Sequence, residues 1–566
     1  MNHNSTKRWD VSPKIPAEIE PELSAYSPTM RQLLYNRGIT HEIEAYNFLV
    51  TEGPIFDPFT MTGMEKAVIR LLRAIDNGEK IVVYGDYDVD GVTATALMVQ
   101  VLRAMGARSE EYIPNRFEEG YGVNNDALDS LAAEGASLVL TVDCGIRSPE
   151  EALHARSLGL DLIISDHHEP KGTDLPEAYA VICPKQPGDA YMDKNLAGVG
   201  LAFKIAEALL KVRPVAGVAA TDWLDLVAVG TVADIVPLYH ENRAMVKAGL
   251  KSLNRHQRQG LHSLVGAAGM DVQKRITARD IGFVIGPRLN AAGRMESAVA
   301  SYQLLMALDE YEAGALAQKL DNQNRHRQEL TSHMQQEAEL LARADTSEHL
   351  LFAVKPEFNK GIVGLVAARL VETYYRPTII GQVEAEYTRA SCRSIPEFHI
   401  THALDECSSL LVHHGGHAMA AGFTVRNTDL PELERRIKEI AARELSQRDL
   451  MPVLRADMEI SLRDLKPEIM HEQEMLEPFG LSNPEVCFVT RGLKVLRYKP
   501  VGSESQHLRL TVTDGRLTYD AIAFRQGGWA GNMPPTVDLL YSFEKNSFMG
   551  RESLQLNVKD IKISET

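Results

Sequence analysis

Apolar runs at 81–84, 138–142, 160–164 and 180–182 alternate with helix-like stretches such as 92–105 and 149–158. Strands separated by helical crossovers pair in parallel through right-handed βαβ units, which leaves helices on both sheet faces. The spacing therefore predicts a parallel sheet buried on both sides. In that architecture ligands bind beyond the carboxyl ends of the strands. Those ends are acidic here. Asp86-Tyr87-Asp88-Val89-Asp90-Gly91 follows the first run, Asp143-Cys144-Gly145 the second, and Ser165-Asp166-His167-His168 the third. A fourth acid, Asp234, lies in the otherwise apolar stretch 227–237, where an unpaired charge is costly.

Each acid has an ordinary alternative. An Asp-rich run ending in Gly is commonly a solvated turn, and Asp143 or Asp166 would serve as a helix cap. Repetition of the strand-then-acid arrangement argues against four independent accidents. A calcium loop starting at Asp86 would need a preceding helix and a bidentate Glu at its twelfth position, which is Leu97. Carboxylates joined by imidazole at one sheet edge suit a pair of divalent cations, Mn2+ or Mg2+, better than zinc. Two such ions about 3.5–4 Å apart activate water and stabilise the leaving oxygen in phosphoester hydrolysis.

A chain of 566 residues exceeds a single core, and typical domain sizes suggest about three to four. Residues 1–59 read as a helical lead-in punctuated by Pro13, Pro16, Pro21 and Pro28, and 60–308 as the sheet domain. Helical spacing of Leu316, Leu320, Leu330, Met334 and Leu341 predicts a long connecting helix over 309–345. A second α/β region follows over 346–450. Short alternating segments over 451–566 predict a small antiparallel barrel. No apolar stretch reaches the roughly 20 residues of a membrane span, and Met1 to Arg8 lacks an apolar signal core, so a cytoplasmic location is expected. The five cysteines form no Cys-x-x-Cys pair and are expected to be reduced. A net charge of -17 opposes broad nucleic-acid affinity, so any polyanion site must be local.

The run 86–91, Val142-Asp143-Cys144-Gly145, Asp166-His167-His168 and Thr231-Val232-Ala233-Asp234 resemble the four motifs of the DHH phosphoesterases. Gly286-Pro287-Arg288-Leu289-Asn290-Ala291-Ala292-Gly293-Arg294 resembles the single-strand-specific exonucleases of that superfamily, and Gly415-Gly416-His417-Ala418-Met419-Ala420-Ala421-Gly422 resembles the signature of the DHH-associated domain. The segment 476–484 is similar to the opening of an oligonucleotide-binding barrel, so the likeness runs from about residue 50 to the end.

The resemblance implies two α/β domains, DHH and DHH-associated, joined by a long helix and followed by an OB-type β-barrel. It implies 5′→3′ hydrolysis of single-stranded DNA to 5′-mononucleotides in recombination and repair. Asp88, Asp90, Asp143, His167 and Asp234 would hold two ions with Asp143 as bridge, Asp86 would lend support, and His168 would face the scissile phosphate. Arg116, Ser391 and Arg393 would take the 5′-phosphate, Arg288, Asn290 and Arg294 the strand backbone, and His417 a further substrate contact. Single-stranded DNA is the implied partner, with a helicase and a single-strand-binding protein alongside a monomeric enzyme. A basic groove is predicted from Arg116, Arg288, Arg294, Lys355, Lys360 and Arg393. Phe488, Tyr498, Tyr519, Phe524 and Trp529 of the barrel would either stack bases or fill its core.

Departures from the family pattern are Asn359, Cys183, His414 and Ser482, none of which is a metal-ligand position. Two other readings compete: a DHH phosphoesterase of small substrates, such as short oligonucleotides, cyclic dinucleotides or pyrophosphate, and a catalytically dead DNA-binding scaffold. The terminal barrel argues against the first and the complete set of aspartates against the second.

Overall fold

The computed structural model describes residues 7–50, 53, 55–255, 258–344, 349–548 and 551–564; the segment 1–6 and position 345 lie outside them. The chain opens on strand β1 (Arg8–Val11), which differs from the wholly helical lead-in expected. Helices Pro28–Asn36 and Glu42–Leu49 follow.

Five parallel strands then form the first sheet: β2 (Lys80–Gly85), β3 (Arg108–Tyr112), β4 (Leu138–Val142), β5 (Asp161–Ser165) and β6 (Ala180–Ile182), in spatial order β3-β2-β4-β5-β6. β2 and β4 are buried along their whole length, as continuous apolar runs between two helical layers require. The chain leaves β2 toward β3 and returns to β4 on the other flank, so the sheet's switch point lies between β2 and β4. Register pairs Gly85 with Val142, Val142 with Ser165, and Ser165 with Ile182. The strands therefore end level, and the acids that follow them share one edge.

Helix Val89–Ala104 crosses one face, started by Asp88, whose carboxylate accepts the Gly91 N–H at 3.1 Å. Helix Leu224–Ala233 carries the apolar stretch before Asp234. The long helix Glu310–Ala344 leads to a second sheet built from β7 (Leu351–Lys355), β8 (Thr378–Val383), β9 (Tyr387–Arg393), β10 (Leu411–His417) and β11 (Ala420–Arg426). Its order is β10-β11-β9-β8-β7, and only β7 and β8 run parallel.

After β12 (Val453–Ala456) and β13 (Met458–Glu459), a barrel is formed by β14 (Phe488–Val501), β15 (His507–Thr513), β16 (Thr518–Ala523), β17 (Thr536–Phe548) and β18 (Arg551–Ile563). Pairing of β14 with β17 closes it, and β16 with β18 is a parallel pair rather than part of the purely antiparallel barrel expected. β1 pairs in parallel with β12, and buried Arg37 meets Asp457 at 3.2 Å and Asn483 at 2.7 Å. Residues 7–50 thus pack largely on the barrel half of the chain, sharing its apolar core through Leu23, Met30, Leu33 and Leu34.

Candidate active site

The edge beyond β2, β4 and β5 collects six acid or imidazole groups. Asp86, Asp88 and Asp143 each bring an oxygen within 4.8 Å of the others, and so do the ligand atoms of Asp90, His167 and Asp234. His167 Nε2 joins the two groups, lying 3.1 Å from Asp143 Oδ1, 3.5 Å from Asp234 Oδ2 and 3.9 Å from Asp90 Oδ2. Asp90 is held by the start of helix Gly198–Val212, whose Gly198 and Val199 N–H groups donate to its two oxygens at 2.6 and 2.8 Å.

Glycines make the room. A Cβ on Gly198 would stand 2.6 Å from the Asp143 Cβ, and one on Gly91 would stand 2.5 to 2.7 Å from the Asp86 backbone. Asp143 itself adopts a left-handed backbone, φ 64°, which turns the chain sharply at the strand end and is sparsely populated for residues other than glycine.

The electrostatics call for cations. Burial, then Asp88, pushes the Asp90 carboxyl up to about 7. Burial, then Asp90 and Asp88, pushes Asp234 up to about 9, and burial followed by neighbouring acids raises Asp86 and Asp143 as well. His167 moves the other way, to about 3, because burial and then the charge of His168 disfavour its protonation. Its ring is therefore neutral, with Nε2 3.1 Å from a carboxylate oxygen. Asp86 Oδ1, Asp143 Oδ1 and His167 Nε2 are all buried without a hydrogen-bond partner. Buried polar atoms that face carboxylates without hydrogen-bond partners are reconciled by divalent ions, and this set of carboxylates with one imidazole fits them.

A ring nitrogen of His168 also lies within 4.8 Å of ligand atoms of Asp143 and His167, but Asp166 holds this ring, with its Oδ1 2.7 Å from His168 Nδ1. Burial works against charge on the ring, yet Asp166 prevails and raises its pKa. Asp166 also accepts the main-chain N–H groups of His168 and Ile146 at 3.0 and 2.9 Å. The sequence reads Asp166 as a strand-end acid with a helix cap as its alternative, and does not show that it grips the His168 ring. Tyr121 was missed too; its hydroxyl lies 3.3 Å from His168 Nδ1.

Beside the cluster a cavity of about 250 Å³ opens between the two α/β domains, with Arg116, Arg294, Lys360, Arg389 and Arg393 among the residues lining it and Ser391 on its wall. No carboxylate lines it among the described residues. Arg294 donates to the Gly361 carbonyl at 3.4 Å and Lys360 to the Phe117 carbonyl at 3.4 Å, linking the domains across the cavity. Burial and then the Arg116 charge bring Arg294 down to about 10, the mark of cations crowded where an anion would relieve them. Arg116 stacks over Tyr87, 5.0 Å from the ring centre, so the cavity adjoins the 86–91 loop.

Other predicted residues fall elsewhere. Arg288 is drawn into an ion pair with Asp321 of the long helix at 2.9 Å, and Lys355 pairs with Glu337 at 3.0 Å, so neither lines the cavity. Asn290 is half-buried on helix Gly286–Met295. His417 is exposed at the end of β10, where Ala418 and Met419 make the turn and Gly415 and Gly416 stay within the strand; it neither lines the cavity nor satisfies a buried group. In the barrel Phe488 is core, whereas Tyr498 and Phe524 are exposed. Of the departures, Asn359 accepts the Gly361 N–H at 2.8 Å, Cys183 is buried beside the His168 carbonyl, and His414 pairs with Asp405 at 2.8 Å. Ser482 takes a left-handed φ of 65°, the conformation a glycine would supply without strain.

Three family descriptions match: the DHH family, N-terminal domain, over residues 80–231, the DHHA1 domain over 347–444, and the RecJ OB domain over 456–560. The single-stranded-DNA-specific exonuclease RecJ of Bacillus subtilis is 38% identical, with 99% of this chain and 71% of that protein covered. The chain belongs to the RecJ family. The Escherichia coli RecJ is 35% identical over 98% of this chain and 97% of its own length. The crystal structure of the Thermus thermophilus RecJ in complex with Mn2+ superposes with a TM-score of 0.85 at 29% identity, covering 99% of this chain and 80% of that one. The RecJ fold thus accounts for all three parts of the molecule.

Proposed function

We propose that the chain is a metal-dependent exonuclease that removes 5′-mononucleotides from single-stranded DNA in the 5′→3′ direction. The observation that carries this reading is the pair of ligand groups, Asp86, Asp88 and Asp143 beside Asp90, His167 and Asp234, opening next to a cavity rich in arginine. Mn2+ or Mg2+ bound there would supply an activated water and neutralise charge developing on the phosphate. Asp143 would be shared between the two positions. Its strained turn and the glycines around it hold that carboxylate where both groups meet.

His168 keeps its proton through Asp166 and offers it as a charged donor to a non-bridging phosphate oxygen. Arg116, Arg393 and Ser391 bind the terminal 5′-phosphate, with Arg294 and Lys360 completing the cationic wall. Arg288 contributes indirectly, by fixing helix Gly286–Met295 against Asp321. The barrel extends the path of the strand beyond the sheet domain, which favours long single strands over small phosphoesters. In the cell the activity would serve recombination and repair in the cytoplasm. The chain would act there as a monomer beside a helicase and a single-strand-binding protein that supply unpaired strand.

Digestion of 5′-labelled and 3′-labelled DNA, single-stranded and blunt duplex, tests the reading under Mn2+ and Mg2+ separately. Labelled mononucleotide should leave the 5′-labelled single strand first. Degradation of blunt duplex, or shortening from 3′ ends, would refute it.

A further inference from the structure

Ile235 is a β-branched residue in the left-handed region, φ 58°, and it is 68% exposed. That backbone crowds Cβ against the carbonyl and is ordinarily left to glycine at a helix end. Neither burial nor backbone preference accounts for an isoleucine at this position, which directly follows Asp234.

Against the end of the same helix packs the π-helical turn Ile281–Ile285, with Gly282 facing Val232 and Gly286 facing Ala233. Turns of this kind are frequent at functional sites. This one exposes Phe283, 78% accessible, with the Arg279 guanidinium 6.0 Å from its ring centre. Arg279 pairs with Glu485 at 3.0 Å, and the Leu238 N–H donates to the Leu481 carbonyl at 2.8 Å. Both contacts reach the segment that leads into the barrel. Ile235 and Phe283 are thus two exposed apolar side chains on adjoining elements between the metal-ligand cluster and the segment that leads into the barrel, whereas the basic cavity is walled by the second α/β domain.

We propose that Ile235 and Phe283 carry the nucleobases on the 3′ side of the scissile bond, Phe283 by stacking and Ile235 by packing beneath the adjoining nucleotide. The proposal rests on the exonuclease reading. With the terminal phosphate in the cavity and the first phosphodiester at the carboxylates, the following nucleotides leave over these two side chains. An exposed aromatic ring flanked by arginine suits an unpaired base, since every base offers a π-face and its phosphate a negative charge. Paired bases present no free face, so the pair selects single strands.

The test compares kcat/KM on 5′-phosphorylated strands that are intact or abasic at the second, third or fourth nucleotide. The wild type is expected to lose about tenfold at one of these positions. Phe283→Ala should lose about tenfold on intact strands and cease to distinguish abasic ones, and Phe283→Tyr should restore both. Retained discrimination in Phe283→Ala, or a wild type blind to base loss, would overturn the proposal. Ile235→Asn, which tolerates the left-handed backbone, is expected to hold or raise the melting temperature while lowering kcat/KM several-fold; full activity would remove Ile235 from the proposal. A wild type that hydrolyses no single strand at all would instead defeat the exonuclease reading, and the proposal with it.

Discussion

Asp166 grips His168 twice, through ring Nδ1 at 2.7 Å and through the main-chain N–H at 3.0 Å. Burial alone would leave both groups neutral, but these contacts lower the Asp166 pKa while raising that of His168. The charged pair is stable until pH rises through the raised His168 value. Asp166→Asn should therefore shift the alkaline limb of the kcat/KM profile to lower pH and cost roughly tenfold to a hundredfold at pH 8. An unshifted profile would show that His168 does not act as a cation.

Gly198→Ala tests the crowding at the cluster. The added methyl would enter the Asp143 side chain, 2.6 Å from its Cβ. The variant should stay folded by circular dichroism and lose at least about a hundredfold in activity together with Mn2+ affinity. Wild-type affinity would mean that Asp143 has freedom to move aside.

The raised carboxyls make metal binding depend on pH. Unfolded, Asp90 and Asp234 titrate near 3.9, whereas folded they titrate at about 7 and about 9. Between those limits the folded chain holds more protons than the unfolded one, so metal-free stability falls as pH rises. Divalent ions must displace these protons. The metal-free melting temperature should decline from pH 5 to 9, and the increment given by Mn2+ should grow over the same range. A constant increment would contradict the clustered carboxylates.

These relationships were unequally legible in the sequence. Asp86, Asp88, Asp90 and Asp143 were readable because they follow apolar strands whose level ends in a parallel sheet bring them together, and Asp234 because it interrupts an apolar stretch, which folds as a helix. The part Asp166 plays at its strand end was not, since a capping acid and an acid that orients histidine have the same local pattern. The pairing of β1 with β12 joins residues 445 positions apart by register, Arg8 with Val453, and no local signal announces it. Arg288 and Lys355 looked like groove cations because charge is visible in sequence and its partner is not; Asp321 and Glu337 claim them. Ile235 was invisible for a related reason, because left-handed backbone is read from glycine and here an isoleucine adopts it.

The cationic cavity gives a prediction by double substitution. Removing the 5′-phosphate from the DNA should reduce kcat/KM about tenfold in the wild type, the scale of a charge-assisted hydrogen bond. Arg393→Ala should lose a similar factor on phosphorylated strands and be nearly indifferent to the phosphate. Independent, additive losses would place the terminal phosphate elsewhere.

In the proposed function Asp86, Asp88, Asp90, Asp143, His167 and Asp234 form one site for two ions. Crystals grown with Mn2+ and measured at the manganese absorption edge test it directly. Two anomalous peaks are expected at this sheet edge, about 3.5–4 Å apart and both within coordination distance of Asp143. A single peak there, or two peaks that do not share Asp143, would contradict it.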